Sequence, residues 1–542
     1  MGQPVDDAST RITLPQAGTY YISVRTFNWT STWSSEEGPG KFKLIVNDNQ
    51  LPVLGNRGKS WICQPAGRVT LKYPEITVTL HDLTGFNGRC DAIFFTTNPR
   101  FIPPSDVDEL TAFRRSILEL PDQAPQAGNF DLVVVGGGVA GISAAVSAAR
   151  LGCKVALIND RPVLGGNNSS EIRVHLGGRI ETGPYKELGN LQKEFGPLKE
   201  GNARPANYYE DGRKDEIVAN EKNITLFANF RAIGVQMNGS HIRSLTAKHI
   251  ETGKELSFEA PLFSDCTGDG TIGFLAGADW RMGRESKEEF NESTAPTVAD
   301  DMTMGSSVQW YSVDESEPSG FPRFSYGVEF NDANCEKVIM GEWTWETGMN
   351  LNQINDFERI RDYGLLVVYS NWSYLKNGLR ENEQFRNRKL DWVAYIAGKR
   401  ESRRLMGDHI LTENDLRDFV VYEDGTAATT WSIDLHYPDP ENTRKFPDAE
   451  FKSIAKHINI HPYPIPYRCL YSQNVDNLFM AGRNISVTHV ALGTVRVMRT
   501  TGMMGEVVGM AASLCRKYNE NPRGIYKHHL SELIDLMKEG VG

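Results

Sequence analysis

The feature that most constrains this chain is Gly136-Gly137-Gly138-Val139-Ala140-Gly141, set directly behind Phe130-Asp131-Leu132-Val133-Val134-Val135. An uninterrupted apolar strand of this kind belongs inside a parallel sheet, covered on both faces. The alanine-rich stretch 140–151 reads as a helix and 154–158 as the next strand, completing a βαβ unit. In that setting Gly136 permits a tight turn, Gly138 lets bare backbone approach a pyrophosphate, and Gly141 lets helix and strand pack closely. Free N–H groups at the helix start then face phosphate charge. Such folds end the second strand in an acid for the ribose hydroxyls, where this chain has Asn159 followed by Asp160. Asn both donates and accepts, so either residue suits that contact, while Arg161 beside them would suit a ribose phosphate.

The remaining chain separates by periodicity. Residues 1–105 read as a small, partial β-sandwich, with alternating runs at 19–24, 41–46, 76–80 and 92–95. Leu110, Phe113, Ile117 and Leu118 predict a helix over 106–119, and a polar linker runs to residue 128. A Rossmann-type domain follows in two parts, 129–280 and 466–520, the second holding a strand at 477–481 and a small-residue helix at 502–517. Between them, 281–465 reads as an inserted mixed α+β substrate or cap domain, and 521–542 as a C-terminal helix. The fold class expected is therefore α/β, a Rossmann-type domain with an insert, preceded by the all-β unit.

Composition removes several functions. With 40% hydrophobic and 23% charged residues, the 542-residue chain is ordinary for a globular protein. A net charge of −11 argues against general nucleic-acid binding, which needs clustered Lys and Arg. No apolar run reaches the roughly 18 residues of a membrane span. MGQPVDDAST has neither the basic start nor the apolar stretch of a signal peptide, so the chain as it stands reads as cytoplasmic. The seven cysteines form no CxxC pair and no disulfide pattern; they read as small buried residues, and no metal site is expected.

Three further segments carry a resemblance. Arg161-Pro162-Val163-Leu164-Gly165-Gly166 resembles the second glycine pair of FAD enzymes of the glutathione-reductase type. Asp265-Cys266-Thr267-Gly268-Asp269-Gly270 resembles their "ATG" strand end, and Asn477–Arg483 their late strand before the flavin helix, with Arg483 where that group usually has Asp. Together with Gly165-Gly166-Asn167-Asn168-Ser169-Ser170-Glu171, Gly398–Arg404 and Thr488–Met498, this text is similar to the FAD-dependent oxidoreductase family over roughly 129–517. The resemblance implies FAD and a redox reaction. It places the cofactor against Gly136, Gly138, Gly141, Asn159 or Asp160, Arg161, Gly165, Gly166, Asn167, Thr267, Gly268, Gly482, Arg483 and Gly493, with a helix start aimed at the flavin ring. His81–Ala92 resembles a carbohydrate-binding-like sandwich of bacterial members. Those relatives carry a further strand and an export signal ahead of the segment matching 2–8, which implies a periplasmic or secreted protein if the true start lies upstream of Met1.

Moving a hydride from an alcohol carbon requires a base for the hydroxyl proton, a role suited to histidine. His489, ahead of the flavin-side helix, is the first candidate and His175 the second. Tyr467 and Arg468, in a proline-fixed stretch, are candidates for polarising a substrate oxygen. Arg400-Glu401-Ser402-Arg403-Arg404 reads as helical, with Arg400 and Arg404 on one face toward an anion or a salt-bridged surface. Trp29, Trp33 and Trp61 read either as sugar-stacking or core residues, and Trp343, Trp345 and Trp372 as flavin-site walls or core. The function expected is an FAD-dependent dehydrogenase or oxidase acting on a small polar organic molecule, with a carbohydrate or glycoside as leading class. Two alternatives stand beside it: a flavin enzyme without net redox change (isomerase or lyase), and a carbohydrate-binding protein with a vestigial flavin site. No second GxGxxG unit is present, so no separate NAD(P)H domain is expected, and electrons exchange with substrate, oxygen, a quinone or a protein partner.

Overall fold

The computed structural model describes residues 1–341 and 343–542. The chain divides into two units. One comprises Met1–Leu120, Trp310–Met340 and Asp362–Val393; the other comprises Pro121–Gln309, Gly341–Arg361 and Ala394–Gly542. Among the described residues no helix is long and apolar enough to cross a membrane.

The larger unit is built on a five-stranded parallel sheet. Its strands are β1 (Leu132–Val135), β2 (Val155–Asn159), β3 (Ile224–Ala228), β4 (Leu262–Asp265) and β5 (Leu478–Met480), in the order β3-β2-β1-β4-β5. All residues of β1, β2, β4 and β5 are buried, the apolar runs of β1 and β5 together with the polar ends Asn159 of β2 and Ser264-Asp265 of β4. The strand order reverses between β1 and β4, so their carboxyl ends diverge into a crevice, the usual ligand position in open α/β sheets. Helix α1 (Val139–Arg150) leaves β1, and α2 (His489–Val495) and α3 (Met498–Tyr518) follow β5. Small residues bring α3 onto α1: a Cβ built on Gly505 would lie 2.1 Å from the Ala140 carbonyl oxygen. A second, four-stranded sheet joins Phe230–Asn238, His241–His249, Glu255–Glu259 and Gln126–Asn129.

The rest of this unit is held by short ladders, and here the helical expectation for 400–404 fails. Gly398–Lys399 pairs with Ser306–Ser307, and Arg404–Leu405 pairs with Trp280–Arg281. A segment tied at both ends to different ladders has no length left for a helical turn. Arg400 and Arg404 therefore find separate ionic partners, Glu346 for the first and Glu285 with Glu401 for the second.

In the smaller unit Trp310–Asp314 pairs antiparallel with Arg388–Val393, and the segment 1–120 forms two antiparallel sheets. One orders Ala8–Thr13, Glu75–Asp82, Phe42–Val46 and Asn49–Leu54; the other orders Ile62–Leu71, Gly18–Thr26 and Ala92–Thr96. Alternate residues point inward, and Ile22, Val24, Leu44, Val46, Leu54 and Val78 share one core. Helix Val107–Ile117 starts at Asp106, whose carboxylate accepts the Asp108 and Glu109 N–H groups at 3.0 Å. Segments 310–340 and 362–393, which the periodicity reading assigns to the 281–465 insert, belong to this unit. Its tryptophans pack internally. Trp29 is 1% exposed and donates from Nε1 to the Phe86 carbonyl, Trp33 lies against Tyr363, Trp61 against Phe27, and Trp372 against Trp310.

Candidate functional site

The glycine motif forms an open cradle at the mouth of the crevice. Gly136, at φ +107, turns the chain where a Cβ would strike the Cys266 carbonyl oxygen at 2.3 Å. Gly141 crosses that turn so closely that a Cβ would sit 1.8 Å from the Gly136 oxygen. At Gly138 the space is different: a Cβ there would meet only the Gly166 Cα, at 4.0 Å. Gly138 is also the N-cap of α1 and offers no side-chain hydrogen bond to the first turn, so the helix start presents backbone donors to the gap. The second glycine pair lies opposite, with the Gly165 N–H bonded to the Gly137 carbonyl at 2.8 Å. Beneath it runs Lys214, fully buried, its Cδ and Cε 2.8 Å from where a Gly165 Cβ would stand, its Nζ donating to the Tyr209 carbonyl.

The two distant segments meet this cradle. Gly482 lies at the start of α1, where its Cβ would be 4.0 Å from that of Ala140. The Arg483 guanidinium lies over Gly268, and its Nη2 is 3.6 Å from Asp269. The Thr267 hydroxyl donates to Asp265 at 2.6 Å and accepts the Asp269 and Thr271 N–H groups, so it builds the turn. Asn167 donates to the Lys399 carbonyl at 3.0 Å, and Gly493 packs against the Asp434 backbone. Asn159 is committed to the protein: its Oδ1 accepts the Gly137 N–H at 3.1 Å, and its amide donates to the Arg161 and Val163 carbonyls. The adjacent Asp160 is exposed, and Arg161 pairs with Glu171 at 2.6 Å.

His489 is the first residue of α2 and is 3% exposed. Thr488 caps the helix by accepting the Ala491 N–H, and its hydroxyl donates to Glu292 at 2.6 Å. The Glu285 carboxylate accepts the His489 N–H at 2.8 Å. Glu401 lies 2.9 Å from His489 Nδ1, and Arg404 ties Glu401 and Glu285 together from the other side. A carboxylate at Nδ1 favours the tautomer with its hydrogen on that nitrogen, which leaves Nε2 as the acceptor atom of the neutral ring. His489 Nε2 is buried without a hydrogen-bond partner, as are Arg483 Nε, Asn484 Oδ1, Ser486 Oγ and Arg496 Nε. A buried polar atom costs free energy until a partner reaches it. Burial pushes Glu292 up to about 7. A cavity of about 470 Å³ opens beside Glu285, lined also by Trp280, Arg284 and Asp300.

Other candidates are engaged elsewhere. His175 takes the Asn202 side-chain oxygen through both its backbone N–H and Nδ1, at 2.9 Å each. The Tyr467 hydroxyl is buried and donates to the Pro522 carbonyl at 2.9 Å. Arg468 makes a two-point ion pair with Asp424 at 2.9 and 3.0 Å, between the rings of Tyr422 and Tyr526. Both are spent on structure, which corrects their reading as substrate-polarising groups. Sequence reasoning passed over Glu285, Glu292 and Lys214, for which no local pattern gives a signal, and named Glu401 and Arg404 only inside an expected helix.

The gap between Gly138 and Gly166, at the start of α1, fits the diphosphate of a dinucleotide such as FAD. The sequence profile of the family described as "FAD dependent oxidoreductase" matches residues 131–535. A 67-residue stretch is 54% identical to the soluble pyridine nucleotide transhydrogenase of Ectopseudomonas mendocina (strain ymp), spanning 12% of each chain. Among solved structures, a geranylgeranyl bacteriochlorophyll reductase-like protein from Thermoplasma acidophilum is 12% identical, with 76% of this chain and 83% of that one covered and a TM-score of 0.30. The glycerol-3-phosphate dehydrogenase from Bacillus halodurans, complexed with FAD, is 15% identical over 35% and 41%, with a TM-score of 0.21.

Proposed function

Because the chain belongs to the FAD dependent oxidoreductase family, we propose that His489 is the base in the oxidation of a small polar organic substrate. Bound FAD supplies the hydride acceptor. The residues that would hold it are the backbone of Gly136–Gly138, Gly165 and Gly166, the start of α1, and the backbone of Gly482. The chain's own part in the reaction is proton handling. The substrate's carbon–hydrogen bond breaks with its electron pair while the hydroxyl proton passes to His489 Nε2. Glu401 keeps the hydrogen of the resting imidazole on Nδ1 and balances the charge that arises on the ring. Arg404 and Glu285 fix Glu401 and the start of α2, so that Nε2 keeps its direction.

One observation carries this reading: a buried imidazole nitrogen without a partner, on a ring whose other nitrogen is held by a buried carboxylate. The substrate is taken as a molecule with an oxidisable alcohol carbon. Sugars and sugar acids form the first panel, since the resemblance of the N-terminal strands points to carbohydrates. The internal packing of Trp29, Trp33 and Trp61 adds nothing to that choice.

The test is an anaerobic titration of purified protein followed by flavin absorbance. A substrate should bleach the flavin stoichiometrically, and His489→Asn should bind FAD yet reduce it about 10²–10⁴-fold more slowly. Turnover at constant flavin colour, or reduction by His489→Asn at the wild-type rate, is the result that removes this mechanism.

A further inference from the structure

Arg496 ends α2, seven positions beyond His489. Its Nη2 donates to Asp434 Oδ2 at 2.9 Å and to the Asp434 carbonyl at 3.1 Å, and lies 3.3 Å from His436 Nε2. Its Nε is buried and unpartnered. Arg483 repeats the pattern, with Nη2 near Asp269 and a buried, unpartnered Nε. Lys399 takes the other Asp269 oxygen at 2.6 Å. Arg400 has Nε 3.6 Å from Glu346 and donates to the carbonyls of Gly305 and Trp343. Four permanent cations thus share three carboxylates: Asp269, Glu346 and Asp434. His436 stands between Glu346 at 2.6 Å and Asp434 at 3.4 Å, and His457 reaches Asp434 at 3.6 Å.

Contacts join these groups into one neighbourhood: Arg496 meets His436, which meets Glu346 beside Arg400, and Lys399, next to Arg400 in the chain, shares Asp269 with Arg483. Burial lowers the pKa of Arg400 and of Arg483, and repulsion from Arg496 deepens both shifts. Each guanidinium offers five donors in a rigid fork, and a dry Nε–H is costly until an acceptor reaches it. Two such donors, in a cluster carrying surplus positive charge, match a small oxyanion better than a neutral hydroxyl.

We propose that Arg483 and Arg496 bind an oxyanion carried by the substrate, a carboxylate or a phosphate, with Lys399 and Arg400 supplying the surrounding positive field. This rests on the oxidation assigned to His489 and names the substrate class for it: an alcohol bearing an acidic group. FAD brings phosphates of its own, so the test is made on protein already loaded with FAD, where the cofactor's own contacts are satisfied.

The experiment is isothermal titration calorimetry of the FAD-loaded protein with malonate, inorganic phosphate and neutral malonamide, with flavin content measured on every sample. Saturable heat is expected for malonate or phosphate and none for malonamide. Preference between the two anions identifies the carboxylate or phosphate source. Arg496→Gln should weaken anion binding about tenfold to 100-fold, with Arg496→Lys between, at unchanged FAD content. Equal binding of malonamide, no binding of either anion by the wild type, or Arg496→Gln losing FAD in place of anion affinity overturns the proposal. If Arg496→Gln does not fold, the wild-type comparison of anions with malonamide decides. A preparation devoid of flavin after reconstitution counts against the redox reading itself, whereas flavin-loaded protein that ignores anions counts against the subsite alone.

Discussion

Glu506→Gln should make the protein more stable in mild alkali while leaving it nearly unchanged in mild acid. Glu506 sits in α3 against α1, is 0% exposed, and both of its oxygens lie 3.1 Å from the Gly189 N–H. Burial pushes its carboxyl from 4.5 up to about 8, against the opposing pull of that N–H. A raised folded-state pKa means that the folded chain holds the proton more tightly than the unfolded one. The stabilisation is complete below pH about 4.5 and is lost as pH rises through about 8. At about 1.4 kcal/mol per pH unit inside that window, wild type should lose about 3–4 kcal/mol between pH 5 and pH 8 from this group. Gln copies the shape of the protonated acid and cannot ionise. The stability difference between Glu506→Gln and wild type should therefore grow by about 3–4 kcal/mol in favour of the variant over the same range. Urea unfolding followed by tryptophan fluorescence at several pH values measures it. A difference that stays flat with pH would refute the claim that this buried carboxyl is protonated in the folded protein.

Three other outcomes follow from the same geometry. Gly138→Val should fold and lose FAD, because its side chain enters a gap bounded only by Gly166 at 4.0 Å; the ratio of flavin to protein absorbance reads this directly, and unchanged FAD content contradicts the cradle. Gly141→Ala, a favourable change in an ordinary helix, should instead cost about 1–3 kcal/mol, since its Cβ would overlap the Gly136 oxygen at 1.8 Å; thermal unfolding checks the sign. His489→Asn and Arg496→Gln separate proton transfer from anion binding: the first should slow flavin reduction at unchanged malonate affinity, the second should weaken malonate at unchanged FAD content, and either loss appearing in both variants argues that the two groups act as one.

Much of the flavin-fold architecture was legible in the chain because its signals are local. An apolar run, a glycine turn and an alanine-rich helix lie within about twenty consecutive residues, and each rests on backbone sterics and burial that neighbours alone decide. Strands at 76–80 and 92–95 and the helix near 107–117 were readable for the same reason. What the chain alone did not disclose depends on partners remote in sequence. Asn159 looks like a ribose ligand until its amide is seen bonded to the glycine loop. Residues 400–404 look helical until two separate ladders claim their ends. Tyr467 and Arg468 look reactive until Pro522 and Asp424 take their polar groups. The smaller unit draws on three chain segments with no change in composition to mark them. His489 could be named as a base from its place before a helix, but Glu401, 88 positions away, reaches its Nδ1 only through tertiary packing. Local physics chose the scaffold; burial of charge among distant residues chose which side chains were left over for chemistry.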